Sequence, residues 1–185
     1  MIKFNNVSFS YKKQEVIKDL SLQIGKGEKV ALTGASGSGK TTVLRLIMGL
    51  EKAKKGKVEL PQNTAFSVVF QEDRLIPHKT ALLNVALFSD EKTAKEILCE
   101  LGLCDNLNTL PSELSGGMKR RVALARALAK QSDVLILDEA LTGLDQATKE
   151  ICYQAIEKYL ANRTLLVISH LKEEQTRLTN REIKI

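Results

Sequence analysis

The chain has 185 residues, enough for one domain with a sizeable core, and 43% of them are apolar, an ordinary share for a globular protein. No apolar run approaches the roughly 18 residues of a membrane-crossing helix, so none is expected. The net charge of +6 comes from scattered cations and short clusters at Lys52 to Lys57 and Lys119-Arg120-Arg121, with no aromatic residues interleaved to stack bases. That pattern predicts a solvated basic surface and no specific nucleic-acid partner.

Along the chain, Met1 to Asn6 lacks the apolar stretch of a secretory signal. Ile2, Phe4, Val7-Phe9, Val16-Ile17 and Leu20-Leu22-Ile24 alternate as antiparallel strands do. After Gly25-Lys26-Gly27, the run Lys29 to Thr33 reads as a buried strand and Thr41 to Leu50 as a helix. Between them lies Gly34-Ala35-Ser36-Gly37-Ser38-Gly39-Lys40-Thr41, which fits G-x-x-x-x-G-K-[ST]. Glycines allow the loop to turn its N–H groups inward, and the helix that follows adds its positive end. Lys40 can reach β- and γ-phosphates, and the Thr41 hydroxyl can ligate Mg²⁺. Nucleotide binding follows from this stretch alone.

Ala65 to Phe70, Val134 to Leu137 and Thr164 to Ile168 are near-continuous apolar runs, as in a parallel sheet covered on both faces. From Glu72 to Lys130 the period becomes helical, with Asp90 as an N-cap before Ala94, Ile97, Leu98 and Leu101 and a further helix from about Met118. This segment is too long for a loop and reads as an inserted helical lobe. Leu114-Ser115-Gly116-Gly117 opens the second helix with a hydroxyl and free N–H groups, which suits either a second anion site or an ordinary capped helix start. Val134 to Glu139 is a buried strand ending in two carboxylates. Asp138 is placed to serve a Mg²⁺ shell and Glu139 to polarise water where the strand gives way to a loop. Ile168-Ser169-His170 is another apolar strand ending at a polar residue, at the edge where such folds gather ligands. Gln146 to Leu160 reads as an amphipathic helix. Cys99, Cys104 and Cys152 lack zinc spacing and read as small buried thiols in a reducing cytosol.

With these motifs in this order, the chain resembles the ATP-binding cassette (ABC) family over essentially its whole length. The resemblance implies a P-loop α/β core with a mixed sheet, an N-terminal antiparallel β subdomain and an inserted helical subdomain. It divides the single domain into a nucleotide-binding core at 1–70 and 132–185 and a helical subdomain at 71–131. Tyr11 looks like the adenine-stacking aromatic, although a strand-end tyrosine packed on the core is a rival reading. Residues Gly34 to Thr41, with Thr42, would bind the nucleotide. Gln71 resembles the glutamine that contacts Mg²⁺ and water and senses a partner, so Thr41, Gln71 and Asp138 form the expected metal set. Glu139 matches the catalytic glutamate and His170 the γ-phosphate switch histidine, acting with Lys40. Ser115, Gly116 and Gly117 resemble the signature motif, and Leu144-Asp145 the loop that crosses a dimer interface. Met118 replaces a frequent glutamine and Ala140 a usual proline; neither removes a phosphate contact.

The resemblance therefore implies a Mg²⁺-ATP hydrolase that dimerises head to tail with a second copy of itself and works with membrane-spanning permease subunits, peripheral on the cytoplasmic face. Phe70 to Pro77, followed by Thr80 to Val85, is similar to importer ATPases of the nitrate, sulfonate and taurine group, with His78 replacing a frequent tryptophan. A soluble ABC ATPase of iron–sulfur assembly or another non-transport process is the alternative.

Overall fold

A computed structural model describes residues 1–12 and 14–185. β1 (Ile2–Tyr11) pairs antiparallel with β2 (Gln14–Ile24) on one side and β4 (Lys55–Glu59) on the other. The side chains of Ile2, Phe4, Val7 and Phe9 are buried, so the alternation of β1 supplies one inward face. β4 carries no such signal: Lys55, Gly56 and Lys57 are exposed and the strand is held by its backbone. Gly56 has φ +72, and a Cβ there would sit 2.2 Å from the Asn6 carbonyl oxygen, so only glycine fits this approach.

β3 (Lys29–Thr33), β5 (Phe66–Val69), β6 (Val134–Asp138), β7 (Thr164–Ile168) and β8 (Arg181–Lys184) form a second, five-stranded sheet in the order β5-β6-β7-β3-β8. Every pairing in it is parallel. The mixed strand directions of the fold are thus divided between one antiparallel and one parallel sheet.

The two core clusters explain the continuous apolar runs. Val134, Ile136, Leu166 and Ile168 point to the side of α1 (Lys40–Ile47) and the antiparallel sheet, with Val43 and Ile47 of α1 packed among them. Leu135, Leu137, Leu165 and Val167 point to the opposite side, against the helices. Successive residues of one strand are therefore both buried, and neither face needs a polar partner.

Between β5 and β6 the chain forms α2 (Ala81–Ala86), α3 (Glu91–Glu100) and α4 (Gly116–Ala129), capped by the side chains of Thr80, Asp90 and Ser115. Ile97, Leu98, Val122 and Leu124 share one cluster with Leu135 and Leu137 of β6, so the helices rest on the sheet's own core. α5 (Gln146–Leu160) adds Tyr153 and Ile156 to that cluster, and α6 (Lys172–Leu178) adds Leu178.

The cysteines depart from the expectation of buried thiols: Cys99 and Cys104 form a disulfide, and Cys152 alone is a free buried thiol. The cause is the chain reversal that ends α3. Leu103 N–H donates to Leu98 C=O and Gly102 sits at φ +70, which folds the next turn back on the helix and brings the two Cα atoms within 4.2 Å.

The stretch 72–80 that enters the helical segment has little regular structure and depends on Asn84, which is wholly buried. Its Oδ1 accepts from Ile76 N–H at 2.8 Å, and its Nδ2 donates to the carbonyls of Ile76, Lys79 and Thr80 at 3.2, 2.8 and 3.0 Å. Asn84→Ala strips several partly buried backbone groups of their partner. It should lower unfolding free energy by roughly 2–4 kcal/mol in urea titration; a loss below about 0.5 kcal/mol would show that water replaces the amide.

Candidate functional site

β3 delivers the chain to a loop whose glycines take conformations closed to other residues. Gly34, Gly37 and Gly39 have φ of +147, +78 and +101, and a Cβ on Gly39 would lie 2.6 Å from Ile17 Cδ1. The first turn of α1 leaves the N–H groups of Lys40, Thr41 and Thr42 without intrahelical partners, and Val43 N–H is the first to bond back, to Gly39 C=O at 2.8 Å. Lys40 is buried, its Nζ donating to Gly34 C=O and Ala35 C=O at 2.9 Å each. Two donors are spent fixing the ammonium over the loop, which leaves the third for a ligand. Ser38 Oγ is buried without a hydrogen-bond partner, an open polar group inside the loop. Ala35, Ser36 and Gly37 form the exposed rim; Thr41 is exposed, while Thr42 turns into the core. Free N–H groups at a positive helix end, beside a fixed ammonium, make a phosphate cradle.

β6 and β7 end on the same side of the parallel sheet as β3. Asp138 lies half-buried at the end of β6, its carboxyl pKa raised by burial and by the neighbouring Glu139, with Lys40 and Arg45 opposing. Asp138, Thr41 and Gln71 line one cavity of about 360 Å³ with Arg45, so a hydroxyl, an amide and a carboxylate face one space. Among the described residues no cluster of three or more His, Cys, Asp and Glu could hold a metal. The next residue, Glu139, takes φ +51, and its N–H donates to Ile168 C=O at 2.8 Å. That turn lifts its carboxylate off the strand, where Oε1 meets His170 Nε2 at 3.2 Å. The imidazole is mostly exposed and the carboxylate largely covered.

Tyr11 ends β1, more than a third exposed, edge-on to Phe9 with ring centroids 4.8 Å apart, and its hydroxyl accepts from Arg45 of α1 at 3.2 Å. It stands beside the helix that follows the loop.

Ser115, Gly116 and Gly117 lie elsewhere on the molecule. Ser115 Oγ accepts from Met118 N–H at 3.2 Å at the start of α4. Gly116 and Gly117 border a second cavity with Thr142, Gly143 and Leu144, and a Cβ on Gly117 would press on Leu144 at 3.2 Å. Neither glycine lines the cavity that gathers Thr41, Gln71 and Asp138. Asp145 caps α5, accepting from Thr148 N–H and Oγ1 at 2.9 and 2.7 Å. Met118 packs against the helical core and Ala140 is buried within it, so both departures from the resembled pattern are packing positions.

Sequence reading misses the fastening between these places. Arg120 and Arg121 belong to the cluster expected as solvated surface, yet both are half-buried. Arg120 donates to Phe70 C=O at 3.2 Å and lies 3.2 Å from Asp73. Arg126 donates to Arg74 C=O and Asp73 C=O at 2.9 and 3.1 Å, and Arg121 to Leu101 C=O at 2.8 Å. Arg120 and Arg126 thus hold the chain on both sides of Gln71 while Arg121 holds the end of α3, and backbone acceptors leave no mark in a sequence.

A family profile described as ABC transporter matches residues 17–142. The chain is 42% identical over 183 residues to the aliphatic sulfonates import ATP-binding protein SsuB 1 of Rhodococcus jostii (strain RHA1), covering 95% of this chain and 75% of that protein. It is 37% identical to the thiamine import ATP-binding protein ThiQ of Histophilus somni (strain 129Pt), covering 100% of this chain and 94% of that one. Among solved structures, the dimeric post-hydrolysis state of the ATP-binding cassette MJ0796 bound to ADP and Pi superposes with a TM-score of 0.87 at 30% identity, covering 100% of this chain and 94% of that chain.

The raised pKa of Asp138 has a consequence for stability. The folded protein holds this proton more tightly than the unfolded chain does, so the group favours folding at low pH and loses that contribution as pH rises through its folded pKa. Asp138→Asn should therefore raise the melting temperature of the nucleotide-free protein at pH 7, with the gain shrinking as the pH is lowered. An equal or lower melting temperature at pH 7 would contradict the burial argument.

Proposed function

The chain belongs to the ABC transporter family, and on that premise we propose that it is the ATP-binding and ATP-hydrolysing subunit of an importer, two copies of which enclose nucleotide head to tail. The observation that carries this reading is the separation of two anion sites on one chain. The phosphate loop and the Ser115 helix start border different cavities, while one triphosphate needs both to offset its charge. A second copy turned head to tail brings its Ser115 and Gly117 to the γ-phosphate held by Lys40. ATP binding then drives association and hydrolysis releases it.

Within each site, Lys40 and the loop N–H groups hold the β- and γ-phosphates, and Tyr11 offers its ring to the adenine. Thr41, Gln71 and Asp138 would hold Mg²⁺, since their hydroxyl, amide and carboxylate line one cavity. When bound, the ion neutralises phosphate charge. Glu139 orients the attacking water and draws on its proton, while His170, set 3.2 Å from Glu139, contacts the γ-phosphate. Asp145, at the head of α5, faces the second copy.

No helix among the described residues is long and apolar enough to cross a membrane. In the proposed reading the work of hydrolysis passes to membrane-spanning permease subunits, with this chain on their cytoplasmic face. The relatives' names attach import of aliphatic sulfonates and of thiamine to this kind of chain. An apolar groove lined by Phe70, Ile76, Leu87 and Phe88, at the edge of β5 beside the loop that begins at Gln71, is the surface we assign to that partner.

Lys40→Ala should reduce steady-state ATPase activity about 100-fold or more, and near-normal turnover would refute the site. Purification of the tagged chain from detergent-solubilised membranes should recover a membrane-spanning partner. Recovery with soluble assembly factors alone would favour a non-transport ABC ATPase.

A further inference from the structure

The disulfide between Cys99 and Cys104 spans the reversal that ends α3. Cys104 is exposed and Cys99 half-covered, so the bond reaches the surface on the Cys104 side. Disulfides are rare in reducing compartments, and those found there are usually transient or redox-sensing. Exchange requires a thiolate to reach one of the two sulfurs, and Cys104 offers that access. Cys152 of α5 does not: it is wholly buried, and burial pushes its thiol pKa up to about 12.

The reversal keeps its shape through contacts that involve no sulfur. Gly102 N–H donates to Cys99 C=O and Leu103 N–H to Leu98 C=O, each at 2.9 Å. Asn106 N–H donates to Leu103 C=O at 3.0 Å, and Leu98, Leu101 and Leu103 are buried. Two thiols released by reduction therefore stay close and can rejoin without a search by the chain. What the bond adds is a covalent limit on fraying at the end of α3. Carbonyls inside the loop it closes are in use: Leu101 and Gly102 C=O accept from Arg121 Nη1 at 2.8 and 3.3 Å. Nε of the same guanidinium donates to Gly117 C=O at 3.4 Å. One arginine thus ties the reversal to the start of α4.

We propose that Cys99–Cys104 is a reversible redox site, opened at Cys104 by a dithiol reductant, whose oxidised state steadies the Arg121 anchor between α3 and α4. In reduction, one thiolate of the dithiol attacks Cys104 Sγ, the Sγ–Sγ bond breaks, and Cys99 Sγ leaves with the electron pair and takes a proton. The second thiolate of the dithiol then displaces Cys104 Sγ, which is protonated in turn. Both cysteines are reduced, and the dithiol, having given up two protons, is oxidised to its disulfide. The inference rests on the cytoplasmic placement proposed above for its supply of reductant.

Dithiothreitol treatment of the folded chain, followed by N-ethylmaleimide and intact-mass measurement, tests the site. Two adducts should appear, at Cys99 and Cys104, with none at Cys152 and none at all without the dithiol. Removing the dithiol and adding oxidised glutathione before alkylation should return the count to zero. On reduction, amide hydrogen exchange at Leu103 and in the first turn of α4 should quicken by about 3-fold or more, with β6 unchanged. Cys104→Ser, which cannot form the bond, should show the faster exchange with or without dithiol. No adducts would overturn the proposal by showing the bond closed to dithiols, and three adducts appearing together by showing that it opens only through unfolding. Equal amide exchange in the two states would overturn the steadying role. A pair found wholly oxidised by alkylation inside cells, in a chain that exchanges freely once purified, would instead overturn the cytoplasmic placement, so the two failures are distinguishable.

Discussion

The parallel register of the five-stranded sheet is the constraint on which the site depends. Because β3, β5, β6 and β7 run the same way, their carboxyl ends reach one edge, and each hands the chain to a loop there. The phosphate loop, the segment beginning at Gln71, the Asp138-Glu139 pair and the Ser169-His170 turn are those four loops. Their functional groups come from positions more than a hundred residues apart, and the backbone ladder fixes their spacing before any side chain interacts. The alternating burial of β6 and β7 against two cores holds that ladder rigid.

The edge so assembled is electrostatically incomplete. Lys40 is the one ammonium fixed within the loop by carbonyl bonds, while Asp138 and Glu139 add negative charge next to the space where phosphates would lie. The remaining donors stand at the start of α4, beside Leu144 and away from that cavity. On the proposed reading each of two surfaces holds half of an anion site, so that the ligand would become the bond between copies and its cleavage their release. Arg120 and Arg126 of α4 join this surface to the backbone around Gln71.

Much of this was legible in the residues. β3, β6 and β7 announce themselves because strands buried on both faces must be apolar throughout, and Ser115 and Asp90 because helix starts need side-chain acceptors. β4 and β8 were silent: both lie at sheet edges, where Lys55-Gly56-Lys57 and Arg181-Glu182 meet solvent and only the backbone pairs. The role of Arg120 and Arg126 was hidden because carbonyl acceptors have no residue type. The Cys99–Cys104 bond has no signature in the cysteine spacing because it depends on the sharp reversal at Gly102, which brings an exposed and a half-covered cysteine together. That Thr41 and the Gly116-Gly117 helix start line different cavities is a fact of three-dimensional placement, beyond any spacing rule.

The claim beneath all of this is that Mg-ATP is shared between two chains. Light scattering of the Glu139→Gln variant, which retains every phosphate contact but cannot use the carboxylate, measures it directly. With saturating Mg-ATP the mass should rise to twice the 20.5 kDa of the chain, and it should return to one chain when nucleotide is removed. A particle that binds ATP stoichiometrically yet keeps the mass of a single chain at micromolar concentration would contradict the account.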